Sequence, residues 1–207
     1  MLLTAAALVY PVAKSVGSYR SAPVSDDLGV TQTPTGPLTN LDRDFVKRVR
    51  LAGLWEIPAG RMALTKGTTP EVKTAGQHLV QGHTDLDKAA LSTARILDLD
   101  VPSEPSAQQQ GWLRQLEAAQ GPEFDQLFAN LLRSAHGQVF AVLAQVRAGT
   151  QNSTVRDLAN TANGTVLDHM NVLEDTRLVD FDKLTPLPSG SAAPSASRPP
   201  APAGSTR

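Results

Sequence analysis

The amino-acid sequence predicts an all-α protein: an antiparallel four-helix bundle with an extra short helix between the second and third long helices. Four stretches of about 25 residues carry apolar residues at alternating steps of three and four, the spacing of one buried helix face. No stretch alternates apolar and polar residues at every second position, so we predict no strands. Turn signals near Thr68 and Gln151 divide the stretches into two helical hairpins.

The chain begins with the apolar run "MLLTAAALVYPVA", which is shorter than the roughly 20 residues that a membrane-spanning helix needs. We therefore predict that residues 1–17 form a signal-like segment, the alternative being a buried N-terminal helix. The protein is then expected outside the cytoplasm, secreted or at the cell surface or in the periplasm. Contact with a membrane is expected only through this segment, if it stays uncleaved.

Two further stretches differ in composition from the domain that they flank. Residues 18–37 are rich in Ser, Pro, Gly and Thr and are predicted to be a linker. Residues 186–207 form a Pro/Ala/Ser tail that cannot bury apolar surface and is predicted to be disordered. The helical domain is left with residues 38–178.

The first hairpin has clear helix-start and helix-stop signals. Residues 41–66 form the first predicted helix, with Thr39 or Asn40 as its N-cap and a glycine as its stop. A second helix begins with a Thr-Pro-Glu cap and continues to about Leu97. The sequence between residues 98 and 120 then breaks the pattern, and it leaves open whether the chain turns back or crosses the length of the bundle.

The second hairpin follows this link. Within the link, a short amphipathic helix is predicted around Trp112, Leu113 and Leu116. The third long helix is predicted from Pro122 to near Gly149, and the fourth from just after Ser153 to about Arg177.

Charge and cysteine content exclude several classes of function. The net charge is −1, and no basic run or basic-aromatic strip occurs, so we predict no nucleic-acid partner. The chain has no cysteine, which rules out disulfides, thiolate metal sites and cysteine nucleophiles. Phosphate-binding glycine loops and the common zinc-protease and serine-hydrolase motifs are also missing. The sequence names neither a substrate nor catalytic residues, and it leaves open whether the protein is an enzyme.

Each long helix carries one ionisable residue in its apolar stripe. These residues, called here the Glu/His layer, are Glu56, His83, His136 and His169. Each lies 12 to 18 residues from the turn of its own hairpin. At 1.5 Å per residue the heights within a hairpin differ by about 4.5 Å, which is less than one helical turn. The four side chains are therefore predicted to meet in the interior.

Burying four polar groups without partners is costly, at roughly 2–7 kcal/mol for each group, so we expect them to serve one another. Three neutral imidazoles and a carboxylate can bind one divalent transition-metal ion, such as Fe, Mn, Zn or Cu. Metal affinity would then fall below about pH 6.5, the ordinary pKa of histidine. Asp168 is a candidate partner for a ligating histidine. The alternatives are a metal-free polar layer that fixes helix packing and acid/base catalysis without a metal.

Several segments resemble a known bacterial family. They are "FVKRVRLAGLWEIPAG", "VKTAGQHLVQGHTDLDKAA", "FDQLFANLLRSAHGQVFAVLAQV" and "NGTVLDHMNVLE". They are similar to domain-of-unknown-function family 4142 over residues 38–177, with a glutamate and three histidines in the same order. The resemblance implies a ferritin-like helical bundle in an exported protein. Because the function of the family is unassigned, it implies no activity.

The chain departs from the family pattern at two places. Gly82 and Ala135 stand where the family usually has an acidic residue before its first two histidines, whereas Asp168 does precede His169. The ExxH pairs of ferritin-like di-iron proteins are absent, which favours a site for a single ion. We thus predict an exported ferritin-like protein whose Glu/His layer binds one transition-metal ion. The alternative is an extracytoplasmic binding or structural module; a cell-envelope or small-molecule ligand stays unidentified.

Overall fold

The computed structural model describes residues 29–184, and this part of the chain is mostly helical, as the sequence predicts. Its helices are α1 (Asn40–Lys66), α2 (Pro70–Ile96), α3 (Ala107–Ala118), α4 (Gly121–Gly149) and α5 (Ser153–Asp175). A two-stranded hairpin of β1 (Thr31–Thr33) and β2 (Gly36–Leu38) precedes them, and a short 3-10 turn (Phe181–Lys183) follows. The predicted signal-like segment, residues 1–17, and the predicted tail, residues 186–207, lie outside the described residues.

Helix starts agree closely with the sequence signals. Thr39 is the N-cap of α1, and its backbone N–H and hydroxyl donate to the buried carboxylate of Asp42 at 2.8 and 2.7 Å. Thr69 caps α2 ahead of a proline in the first turn, and the Ser106 hydroxyl caps α3. Satisfied caps hold the helix ends in place, because the first N–H groups of a helix otherwise lack acceptors.

The prediction of no strands, and of a linker over residues 18–37, was wrong for the hairpin. β1 and β2 pair antiparallel, with Thr31 opposite Leu38. Gly36 has a φ of +113°, which a residue with a side chain rarely adopts, and a Cβ there would lie 2.6 Å from the Gln151 carbonyl. Strands of three residues are too short to show an alternating pattern, so no periodicity in the sequence marks them.

Two apolar cores lie at opposite ends of the four long helices. The first core includes Leu38, Phe45, Ala94, Val146 and Val155. The second core includes Ala63, Val72, Leu116, Phe124 and Leu173. Helix α1 therefore runs from the first core to the second, α2 and α4 run the opposite way, and α5 runs parallel to α1. The link through α3 crosses the full length of the helices, which answers the question that the sequence left open.

The polar layer separates the two cores. Each long helix packs against two others, in the order α1, α2, α5, α4 and back to α1. The predicted apolar stripes face this interior, and Val139 is a stripe residue that is only partly buried. Among residues 29–184, none of the helices is both long and apolar enough to cross a bilayer.

Candidate metal centre

The structure brings the four predicted side chains together. Glu56, His83, His136 and His169 are each at most 2 % exposed, and one potential ligand atom from each lies within 4.8 Å of all the others. Glu56 Oε2 lies 2.8 Å from His83 Nε2 and 3.2 Å from His136 Nε2. His136 Nε2 in turn lies 3.1 Å from His169 Nδ1. Four helices thus supply one donor each to a single point.

Backbone carbonyls orient two of the imidazoles. His136 Nδ1 lies 2.8 Å from the carbonyl oxygen of Leu132, and His169 Nε2 lies 3.0 Å from that of His78. A carbonyl only accepts, so each of these nitrogens must carry the hydrogen. In the neutral rings, His136 Nε2 and His169 Nδ1 then present lone pairs to each other at 3.1 Å. Two facing lone pairs repel unless a cation or a proton lies between them.

The other two members of the layer carry polar atoms that have no hydrogen-bond partner among the described residues. Both ring nitrogens of His83 and the Oε2 atom of Glu56 are buried without one. The short separation of His83 Nε2 and Glu56 Oε2 therefore brings two polar atoms close without the alignment of a hydrogen bond. Unpartnered buried polar atoms are rare in folded proteins and call for an explanation, such as an ion.

Burial shifts the pKa of each of the four groups in the direction that favours its neutral form. It lowers the pKa of His83 and that of His136 to about 4, although the Glu56 carboxylate opposes the shift at His136. The pKa of His169 falls to about 3, because burial and the neighbouring His83 both disfavour its charged form. Burial also raises the pKa of Glu56 to about 7, against the attraction of His136. At neutral pH the histidines are therefore neutral, as metal ligation requires.

The donor set suits one small divalent ion. Imidazole nitrogen and carboxylate oxygen bind Zn²⁺ at about 2.0–2.2 Å, and a tetrahedral arrangement then separates neighbouring ligand atoms by about 3.3 Å. Three of the separations between these atoms, at 2.8, 3.1 and 3.2 Å, are close to that value, and the others are at most 4.8 Å. Binding would also give the unpartnered atoms of His83 and Glu56 a partner.

Gly82 is a site residue whose role the sequence did not reveal. A Cβ at this position would collide with His169 Nε2 and would lie 2.9 Å from the Cε1 atom of the same ring. The missing side chain lets the imidazole reach the His78 carbonyl, one helical turn before Gly82. The only sequence signal was that Gly82 replaces an acidic residue of the family pattern.

Asp168 does not hydrogen-bond any ring of the Glu/His layer. Its carboxylate lies 2.8 Å from Nδ1 of the partly exposed His78 imidazole. Since the His78 carbonyl accepts the hydrogen bond from His169, the hydrogen-bond connection between Asp168 and the layer runs through His78. Its role as a partner of a ligating histidine stays a prediction. Asp87 forms a two-oxygen ion pair with Arg50 at 2.6 and 2.7 Å.

Comparison with known proteins identifies the family of this chain. The model of a family described as "Domain of unknown function (DUF4142)" matches residues 29–176. The chain belongs to this family. The match confirms the resemblance predicted from the sequence, and in this DUF4142 chain it includes the hairpin as well as all five helices. Searches of curated proteins and of solved structures found no match.

Proposed function

We propose that this DUF4142 protein binds one divalent transition-metal ion through Glu56, His83, His136 and His169. The observation that carries the proposal is the convergence of four buried donors from four helices. Two of them have their lone pairs fixed inward by the Leu132 and His78 carbonyls. When bound, the ion would supply positive charge at a point where the chain places only lone pairs.

The helix arrangement supports a ferritin-like four-helix bundle as the class of fold. In this class one long connection crosses the bundle, so that the second and third long helices run parallel. Helices α2 and α4 have this relation, and α3 lies in the crossing link. Ferritin-like bundles build metal sites from side chains on facing helices, which is where the Glu/His layer lies.

The test is elemental analysis of protein that has been stripped with a chelator, dialysed and then offered Fe, Mn, Zn and Cu separately. We expect one equivalent of bound metal in the parent protein. His83→Leu and Glu56→Gln should each lose it, because each removes one ligand. Circular dichroism should show that both variants keep their helices, since apolar packing is often at least as stabilising as a buried polar cluster.

His78→Leu is the matched control. It removes an imidazole near the site but keeps the main-chain carbonyl that accepts from His169, so metal should stay bound. A parent protein that binds none of the four metals would overturn the proposal.

The second candidate is a metal-free polar layer that fixes how the helices pack. The raised pKa of Glu56, about 7, supports it, because a protonated carboxyl could share its proton with His83 or His136. An ion pair between Glu56 and a protonated histidine is disfavoured, because burial lowers the pKa of all three histidines. Under this candidate the function is that of a structural or binding module outside the cytoplasm.

Export is part of the proposal and depends on the apolar N-terminal run described above. Cell fractionation combined with N-terminal sequencing tests it. We expect the mature chain outside the cytoplasm and lacking residues 1–17. Full-length protein with Met1 intact in the cytosol would contradict export, whereas an uncleaved chain in the membrane fraction would indicate an anchored protein.

A further inference from the structure

An open cleft between α1, α3 and α4 leads from the surface to the Glu/His layer. It has a volume of about 170 Å³. The residues that line it include Arg48, Ala52, Glu56, Gln108, Gln138 and Val139. Glu56 is the one member of the Glu/His layer that lines it, within the described part of the chain.

The cleft shares part of its lining with the interior of the site. A second cavity, of about 10 Å³, is lined by Glu56, His83 and His136. Ala52, Glu56 and Val139 line both the cleft and this cavity. Val139 belongs to the apolar stripe of α4 but is only partly buried, because it faces the cleft.

The outer part of the cleft is polar but carries little net charge. Gln108 and Gln138 are exposed at its rim and offer amide oxygens, which are hard ligands suited to a hydrated ion. The positive charge of Arg48 is offset by Asp44, whose carboxylate lies 2.6 Å from the Arg48 Nε atom. A cation in the cleft therefore meets neutral amides first and the Glu56 carboxyl last.

Helix α3 covers the cleft. Its one buried residue, Leu116, belongs to the second core, and Trp112 packs on Trp55 with ring centres 5.0 Å apart. The Lys66 ammonium also donates to the Leu116 and Glu117 carbonyls at 2.8 and 2.6 Å, so α3 is anchored at its C-terminal end.

We infer that this cleft is the path by which a hydrated divalent metal ion enters and leaves the Glu/His layer, an inference that rests on the proposed metal binding. Glu56 is then the first ligand that the ion meets and the three histidines bind after it. The path predicts that an obstacle at the rim slows metal entry while the final stoichiometry stays the same.

The test uses the absence of native cysteine. Gln108→Cys and Gln138→Cys, in the full chain, are each labelled with a bulky pyrene maleimide at the rim of the cleft. Gln145→Cys, an exposed glutamine of α4 about two helical turns beyond Gln138 and outside the cleft lining, carries the same label as the matched control. Binding of Co²⁺ is followed by stopped-flow absorbance in the visible range, and the final stoichiometry is measured by elemental analysis.

We expect the labelled rim variants to bind Co²⁺ at least tenfold more slowly than the parent. The labelled Gln145→Cys should bind at the parent rate, each unlabelled rim variant should bind faster than its labelled form, and all variants should reach one equivalent. Parent-like rates in both labelled rim variants, with metal bound, would overturn the path but not the metal site. A parent protein that binds neither Co²⁺ nor any of Fe, Mn, Zn and Cu would overturn the metal site, and the path with it.

Discussion

At the scale of single residues, Glu56 controls the charge of the site. The histidines are neutral at pH 7 because burial lowers each pKa to about 4 or below. Burial raises the pKa of Glu56 to about 7, so without metal this carboxyl is close to half-protonated at neutral pH. A metal ion must therefore displace the proton of Glu56 rather than that of a histidine.

Metal affinity is accordingly expected to fall about tenfold per pH unit as the pH drops from 7 to 5.5, because one proton competes with the ion at Glu56. The sequence alone predicts that this loss of affinity comes from protonation of the histidines below about pH 6.5, the ordinary histidine pKa. Histidine protonation should add to the loss only near pH 4. Calorimetric titration with Zn²⁺ across this range measures the slope, with His78→Leu as a control that should follow the parent. Constant affinity down to pH 5.5 would contradict the assignment to Glu56.

Gly82 sets the position of His169. In Gly82→Ala, the added methyl group would push the imidazole away from the His78 carbonyl, so we expect metal affinity to fall about 10- to 100-fold, as for loss of other groups that orient a ligand. Gly164→Ala is the matched control, because a Cβ there meets nothing within 4 Å. It should keep metal affinity and stabilise α5 by up to about 1 kcal/mol. Equal metal affinity in the two variants would contradict the role of Gly82.

At the scale of elements, the sequence predicts the long helices and their starts, because local periodicity and capping residues determine both. The steps of three and four predicted all four long helices, and the Thr69-Pro70 start was correct to the residue. The same apolar stripes also predicted which ionisable side chain of each helix would join the Glu/His layer. Features that depend on distant partners were missed. The hairpin is held by Asn152, more than 110 residues away, and no pattern within residues 31–38 could show that contact.

The side chain of Asn152 joins the hairpin to α5. Its Nδ2 donates to the Gly36 carbonyl and the Thr33 hydroxyl, both at 3.0 Å, and its Oδ1 accepts from the Val155 backbone at 3.2 Å. Asn152 is fully buried, which disfavours use of the "NST" pattern as a glycosylation site. Neither this contact nor the cleft beneath α3 could be predicted from the sequence, because both depend on how separate elements pack.

Asn152→Ala should lower the free energy of unfolding by about 2 kcal/mol, because it removes a helix cap and leaves buried polar groups of the hairpin unpaired. Urea unfolding measures the change. The matched control is Asn163→Ala, at an exposed position within α5, which should change stability by less than about 0.5 kcal/mol. Equal effects of the two substitutions would show that Asn152 does not hold the hairpin to α5.

At the scale of the whole molecule, the Glu/His layer divides the interior into two apolar cores. Each core joins the ends of several helices, so the layer is surrounded by well-packed structure on both sides. Metal that binds only the folded protein would stabilise the whole chain, by about 2.7 kcal/mol at a free concentration 100 times the dissociation constant. Without metal, the protonation of the layer makes stability depend on pH.

The direction of that dependence follows from the pKa shifts of the metal-free protein. The unfolded histidines take up protons below about pH 6.5, whereas the folded ones stay neutral until about pH 4 or below, so they lower stability as the pH falls through this window. Glu56 acts in the opposite sense: its folded pKa of about 7 exceeds its ordinary value of 4.5, and its stabilisation is lost as the pH rises between them. Three histidines outweigh one glutamate.

We therefore expect the melting temperature of the chelator-treated protein to fall as the pH is lowered from 6.5 to 4.5. In His83→Leu one of the three opposing histidines is gone, so the fall should be clearly smaller, and His78→Leu should match the parent because its imidazole is partly exposed. Differential scanning calorimetry at several pH values measures the three slopes. A parent that is as stable at pH 4.5 as at pH 6.5, or a His83→Leu slope equal to that of the parent, would show that the buried histidines do not stay neutral in the folded chain.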